Sequence, residues 1–162
     1  MLTKLAAHEI LDGWARGKGL EYLILRAFEL EGAEVTWPFS VRFEGYELEQ
    51  LDGTINDDGL ICLVEAKHEK KKIAYGPIAK LRSQLSRRPG QALGAIFSVS
   101  GFTREATILA QFHPPTNIVF WELDDIRHGL STSGMRAGLK AKFQYAVKYG
   151  LIDYNLLSES VQ

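Results

Sequence analysis

Apolar residues recur at helical spacing early in the chain. Leu20, Leu23, Ile24, Ala27 and Phe28 form one stripe, which predicts a helix over residues 20–31, stopped by Gly32. An earlier helix is expected over residues 2–15, ended by the stretch Arg16-Gly17-Lys18-Gly19. The pattern then shortens. Residues 33–43 read as extended with a break at Pro38, and residues 48–56 and 60–67 read as two further strands. Between these two lies Asn56-Asp57-Asp58-Gly59, a strong hairpin signal. Pro77 opens a helix to about Arg88, with Ile78, Leu81 and Leu85 as its apolar stripe and Pro89-Gly90 as its stop. A short buried strand is expected over 93–99 and a helix over 103–112, with Thr103 as its cap. His113-Pro114-Pro115 reads as a turn, 118–121 as a strand, and 124–130 and 137–149 as helices. This mixed alternation implies an α/β fold: a central mixed β-sheet with helices on both faces.

Composition narrows the picture. A chain of 162 residues is one ordinary domain, and 46% hydrophobic residues are enough for a real core and too many for disorder. Apolar runs such as residues 60–64 are far too short to span a bilayer, so no membrane association is expected. Residues 1–7 lead into neither a long apolar stretch nor a small-residue cleavage site, which reads as no signal peptide and a cytoplasmic protein. The single cysteine, Cys62, agrees with a reducing compartment. A net charge of −1 does not advertise a nucleic-acid binder. The charge is unevenly placed, however. Lys67, His68, Lys70, Lys71 and Lys72 cluster, Lys80, Arg82, Arg87 and Arg88 follow, and acidic residues concentrate over 29–58. A lysine run by itself is as readily a solvated loop.

The hairpin carries the chemistry. If Asp58-Gly59 is a two-residue turn, Asp57 pairs with Leu60, and counting back sets Asp52 opposite Glu65, with Cβ atoms ~5 Å apart. Lys67, two positions on, points to the same face. Like charges opposed on a strand as apolar as residues 60–67 are costly unless something positive compensates. Oxygen ligands at this separation suit Mg²⁺, or Mn²⁺, which can generate hydroxide and stabilise charge on a phosphate. Lys67 could orient the attacking water and meet the phosphate as a point charge, and the Ala66 carbonyl could be a further ligand. Spacing alone fits equally a solvent-facing hairpin in which Lys67 neutralises the two acids.

Leu51-Asp52-Gly53 followed by Val64-Glu65-Ala66-Lys67 resembles the PD-(D/E)xK nuclease superfamily, the restriction-endonuclease-like fold, and more narrowly its Mrr-like branch. The resemblance covers about residues 18–125. It includes Gly19-Leu20-Glu21-Tyr22-Leu23 and the later Phe97-Ser98-Val99-Ser100-Gly101-Phe102-Thr103-Arg104-Glu105-Ala106. It implies that Asp52 and Glu65 bind metal, that Lys67 assists the nucleophile, and that Glu21 joins them. Glu21 fits equally an ordinary helix pair with Lys18. Leu51 stands where the superfamily's name has proline, and position 65 is Glu where many Mrr-like enzymes have Gln.

The resemblance implies a Mg²⁺-dependent DNA endonuclease in restriction or genome defence, leaving 5′-phosphate and 3′-hydroxyl ends. Residues 1–125 would form the nuclease core. Residues 126–162 would be a helical extension that packs on the core or forms the face of a homodimer. Lys70, Lys71, Lys72, Lys80, Arg82, Gln84, Arg87 and Arg88 are the candidate DNA-contacting residues. Specificity is expected to be low or supplied by partner proteins. A Holliday-junction or repair nuclease shares this chemistry, and a non-catalytic nucleic-acid-binding subunit would keep the fold without it.

Other chemistries find little support. No histidines and cysteines have zinc spacing, and no glycine-rich phosphate loop is present. His68 should point away from Lys67, and Cys62 reads as core. Trp14, Trp37 and Trp121 read as core or interface. Ser98-Val99-Ser100-Gly101 is no nucleophile elbow.

Overall fold

The computed structural model describes residues 16–158, excluding the Arg16 side chain. The helix expected over 2–15, and Trp14, lie outside the described residues. The order is α1 (Arg16–Leu30), β1 (Glu34–Thr36), β2 (Phe39–Phe43), β3 (Tyr46–Leu51), β4 (Gly53–Asp57), β5 (Leu60–Lys67), α2 (Tyr75–Leu85), β6 (Leu93–Ser98), α3 (Arg104–Phe112), β7 (Ile118–Trp121), α4 (Leu123–Thr132) and α5 (Met135–Tyr149).

Five strands form the main sheet in the order β1-β4-β5-β6-β7, so the ExK strand is central. β4 pairs antiparallel with β1 and β5, while β5, β6 and β7 run parallel. A separate antiparallel pair, β2-β3, stands beside it. Two cores lie on the two faces. Leu20, Ile24 and Phe28 of α1, Ile126 of α4, and Met135 and Leu139 of α5 pack with Cys62, Val64, Phe97 and Trp121. Ile78, Leu81 and Leu85 of α2, and Ala106 and Ala110 of α3, pack with Leu63, Ile96 and Phe120. Each strand position alternates between these layers, as a period of two requires.

Several boundaries differ from the sequence reading. α1 includes Gly17 and Gly19, because the buried stripe it extends outweighs glycine's poor helix propensity. α2 begins at Tyr75, which places Pro77 in the first turn, where its missing N–H would have had no helical partner. The stretch read as one strand over 48–56 is two, β3 and β4, belonging to different sheets and joined at Asp52-Gly53. Gly53 makes the crossing possible. Its φ is +151°, and a Cβ there would lie 2.7 Å from the Thr36 carbonyl oxygen and 2.8 Å from Leu25 Cδ1.

The hairpin turn is built as the sequence suggests. Asp58 and Gly59 both have positive φ, 52° and 89°, as a type I′ turn demands. Asp57 pairs with Leu60, and the ladder continues to Gly53 opposite Val64. Thr103 caps α3 by accepting from the Ala106 N–H. At the C-terminal side, the buried Lys142 ammonium lies 2.9 Å from Asp125 and 5.3 Å from the centroid of the Trp121 ring. That contact ties α5 to α4 and β7. No helix among the described residues is long and apolar enough to cross a membrane.

Candidate active site

Glu65 lies on the α2 side of the sheet, following Leu63 in the strand alternation. Its side chain has no exposed surface. A buried carboxylate is costly without compensation, and two lysines supply it. Lys67 Nζ is 2.7 Å from Oε1. Lys80 Nζ, reaching across from α2, is 3.3 Å from Oε1 and 3.1 Å from Oε2.

Asp52 sits one step past the end of the β4-β5 ladder. Its Oδ2 accepts a hydrogen bond of 2.8 Å from the Ala66 N–H, which fixes the carboxylate beside Glu65. Burial, and next the charge of Glu65, raise the Asp52 pKa above the usual aspartate value. The Ala66 N–H, Lys67 and Lys80 act against them. Glu21, on the second turn of α1, is pushed up to about 7, first by burial and then by Asp52 and Glu65, with Lys18 and Lys67 opposing. Its electrostatic environment is therefore that of the two acids and not that of an isolated helix pair with Lys18. For Lys67, burial is the largest single influence and lowers the pKa. The hydrogen bond and charge of Glu65, with Asp52 and Glu69, outweigh it, so the net shift is upward and the ammonium stays charged.

Glu21, Asp52, Glu65 and Lys67, anticipated together from the sequence, thus share one electrostatic site. Lys80 joins them, although the sequence reading places it on a DNA-contacting surface. The available signal is weak: Lys80 flanks the Ile78–Leu81–Leu85 stripe, one turn before Gln84. Among the described residues, no group of three or more His, Cys, Asp or Glu side chains forms a ready metal cage. The donor set is two neighbouring carboxylates, with Ala66 contributing its N–H to Asp52.

The remaining basic candidates divide. Lys70, Lys71 and Lys72 are exposed on the segment after β5. Backbone bonds hold that segment in place, from Ile73 N–H to the Gly101 carbonyl (2.8 Å) and from Thr103 N–H to the Ile73 carbonyl (3.0 Å). The Ser100 hydroxyl also donates to the Lys71 carbonyl at 2.6 Å.

The other four, Arg82, Gln84, Arg87 and Arg88, have internal partners in the structure. Arg82 donates to the carbonyls of Ala110 (2.5 Å) and Pro115 (2.6 Å), bracing α2 against α3 and the following turn. Gln84 is buried and donates to the Gln50 carbonyl at 3.0 Å, which ties α2 to β3. Arg87 and Arg88 both bind Glu49 of β3, Arg88 at 2.6 Å, and so fasten the β2-β3 pair to α2. Cys62 is a core residue, its thiol pushed up to about 12, first by burial and then by the charge of Asp57. Trp121 is fully buried, and Trp37 stacks on Tyr22 with ring centroids 5.4 Å apart.

A mixed five-stranded sheet covered on both faces, with a D…ExK group formed by the β3-β4 crossing and the end of β5, is the restriction-endonuclease-like fold. The chain belongs to the Mrr_cat restriction endonuclease family, whose model matches residues 15–130, and so to the Mrr-like branch of the PD-(D/E)xK superfamily. No curated protein sequence matches it. Among solved structures, a protein of unknown function, AF1548, is similar with a TM-score of 0.55 at 15% identity, over 81% of this chain and 87% of that one. The MspJI restriction endonuclease, in complex with a 27-mer oligonucleotide, is similar with a TM-score of 0.48 at 17% identity, over 91% of this chain and 35% of that one. The DNA modification-dependent restriction endonuclease AspBHI gives a TM-score of 0.44 at 14% identity, over 91% of this chain and 44% of that one. At 15% identity the likeness to AF1548 is one of fold.

Proposed function

We propose that this protein is a metal-dependent endonuclease that hydrolyses phosphodiester bonds in DNA, working in restriction or genome defence. One observation carries the reading. The Asp52 carboxylate is fastened to the Ala66 N–H beside the fully buried Glu65, on the central strand of a restriction-endonuclease-like sheet.

The residues fit a divalent cation. Two carboxylates supply the hard oxygen donors that Mg²⁺ and Mn²⁺ favour, and Mg²⁺ keeps several of its waters rather than requiring a closed protein cage. The raised pKa values of Asp52 and Glu21 come first from burial and then from the neighbouring carboxylates, two costs that a bound cation would offset. Asp52 and Glu65 would hold the ion, with the Ala66 carbonyl as a further candidate. When bound, it would supply an acidified water and charge stabilisation at the phosphate. The protein's own residues do the rest. Ala66 orients Asp52. Glu65 keeps Lys67 charged at 2.7 Å. Lys67 orients the attacking water and donates to the phosphate as negative charge develops. Lys70, Lys71 and Lys72, on the segment leaving Lys67, contact the DNA backbone.

Cutting both strands with one site per chain favours a homodimer, which sedimentation at micromolar concentration would reveal. The test of function is incubation with linear, circular, single-stranded and branched DNA in Mg²⁺, Mn²⁺ or EDTA. Cleavage is expected in either metal and lost in EDTA, Asp52→Ala and Lys67→Ala. Preference for branched DNA would shift the role towards repair. DNA binding without cleavage in either metal would overturn the enzymatic reading.

A further inference from the structure

Glu65 has two carboxylate oxygens, and lysine ammonium groups meet both. Lys67 sits on Oε1, and Lys80 bridges Oε1 and Oε2. The two lysines are not equivalent. Lys67 lies two residues along the same strand, with its side chain 26% exposed. Lys80 comes from α2, on a long side chain 46% exposed. Oε2 is the oxygen nearer Lys80, so a cation taking that oxygen would displace Lys80 first. A divalent cation on Oε2 would repel the Lys80 ammonium 3.1 Å from that oxygen far more strongly than Lys67 does from Oε1. The freed ammonium stays tethered by α2, within a side chain's reach of the site. There the new positive object is offset by the next negative one to arrive, a backbone phosphate.

We propose that Lys80 is a resident counter-ion of Glu65 that exchanges partners during the cycle. It holds Glu65 in place while no metal is bound. It gives up the carboxylate to a divalent cation and then contacts the phosphate of the bound DNA strand. This rests on the metal-dependent reading of the site and adds to it a second lysine that the ExK motif does not contain. No covalent step is involved; the exchange replaces one charge-assisted hydrogen bond by another.

The exchange predicts effects of opposite sign from one substitution. Removing Lys80 removes the competitor for Glu65, so Lys80→Gln should bind Mn²⁺ several-fold more tightly than wild type in calorimetry of the full chain without DNA. The same variant should bind duplex DNA about tenfold or more weakly in Ca²⁺, read by fluorescence anisotropy, because a charged phosphate contact is lost. Lys80→Arg keeps the charge and should stay close to wild type in both measurements, with melting temperatures of all three proteins checked alongside. Equal or weaker Mn²⁺ binding by a folded Lys80→Gln, with wild type binding Mn²⁺, overturns the exchange alone. So does unchanged DNA affinity in Ca²⁺. If Lys80→Gln does not fold, Lys80→Ala takes its place with the same two expected results. A Lys80→Arg that keeps its fold but loses DNA affinity also overturns the exchange. Absence of Mn²⁺ binding by wild type overturns the metal-dependent reading and the exchange with it.

Discussion

The Asp52 carboxylate accepts a hydrogen bond from the Ala66 backbone N–H at 2.8 Å. That bond joins the two halves of the D…ExK group, one on the β3-β4 crossing and one on the central strand. It also favours the charged carboxylate, against burial and Glu65, which disfavour it and win. Function and stability should therefore pull apart at this position.

Asp52→Asn keeps an oxygen for the Ala66 N–H and removes the unfavourable charge. The metal-free variant is expected to be as stable as wild type or more so, by roughly 0.5–2 kcal/mol. Cleavage should fall to background. Thermal melts and a plasmid-nicking assay check the two halves of this statement.

Glu21 sets a pH dependence. Its carboxyl has an ordinary value of 4.5 and a folded value of about 7. Between those values the folded chain holds a proton that the unfolded chain has released, so this group's contribution to stability falls as pH rises through that window. Glu21→Gln should remove the corresponding slope from the metal-free stability profile. Cation binding would draw the folded value back down, so adding Mn²⁺ at about pH 7 should release protons from wild type and fewer from the variant.

At Gly53 a side chain has no room: the Thr36 carbonyl would be 2.7 Å from the new Cβ, and the φ of +151° is strained for an alanine. Gly53→Ala is expected to cost about 1–3 kcal/mol in denaturant unfolding. Because Asp52 is the neighbouring residue, cleavage should suffer more than stability predicts, with DNA affinity less affected.

The basic residues should separate in salt titrations. Replacing Lys70, Lys71 and Lys72 together by alanine should lower DNA affinity and reduce the slope of log K against log salt by up to about 3, with little change in melting temperature. Arg88→Ala should do the reverse. It strips a partner from the buried Glu49 and lowers stability by roughly 1–3 kcal/mol, leaving the salt slope unchanged.

The sequence by itself determined the register at the heart of the site. Asp58-Gly59 admits the positive φ angles of a two-residue turn, a turn of that length pairs Asp57 with Leu60, and a side-chain period of two carries the pairing to Gly53 and Val64. Each step is local, so each was legible along the chain, as were the Thr103 cap and the strand over 118–121. The division of residues 48–56 between two sheets was not, because it depends on Gly53 passing close to Leu25 and Thr36, which no neighbouring residue announces. Only the tertiary structure decided what the polar residues of α2 and of the segment just after it do. Lys80 turns onto Glu65, Arg82 onto the carbonyls of Ala110 and Pro115, Gln84 onto Gln50, and Arg87 and Arg88 onto Glu49. Helical spacing says which side chains share a face. It does not say which strand or loop, up to 39 residues away, that face will meet.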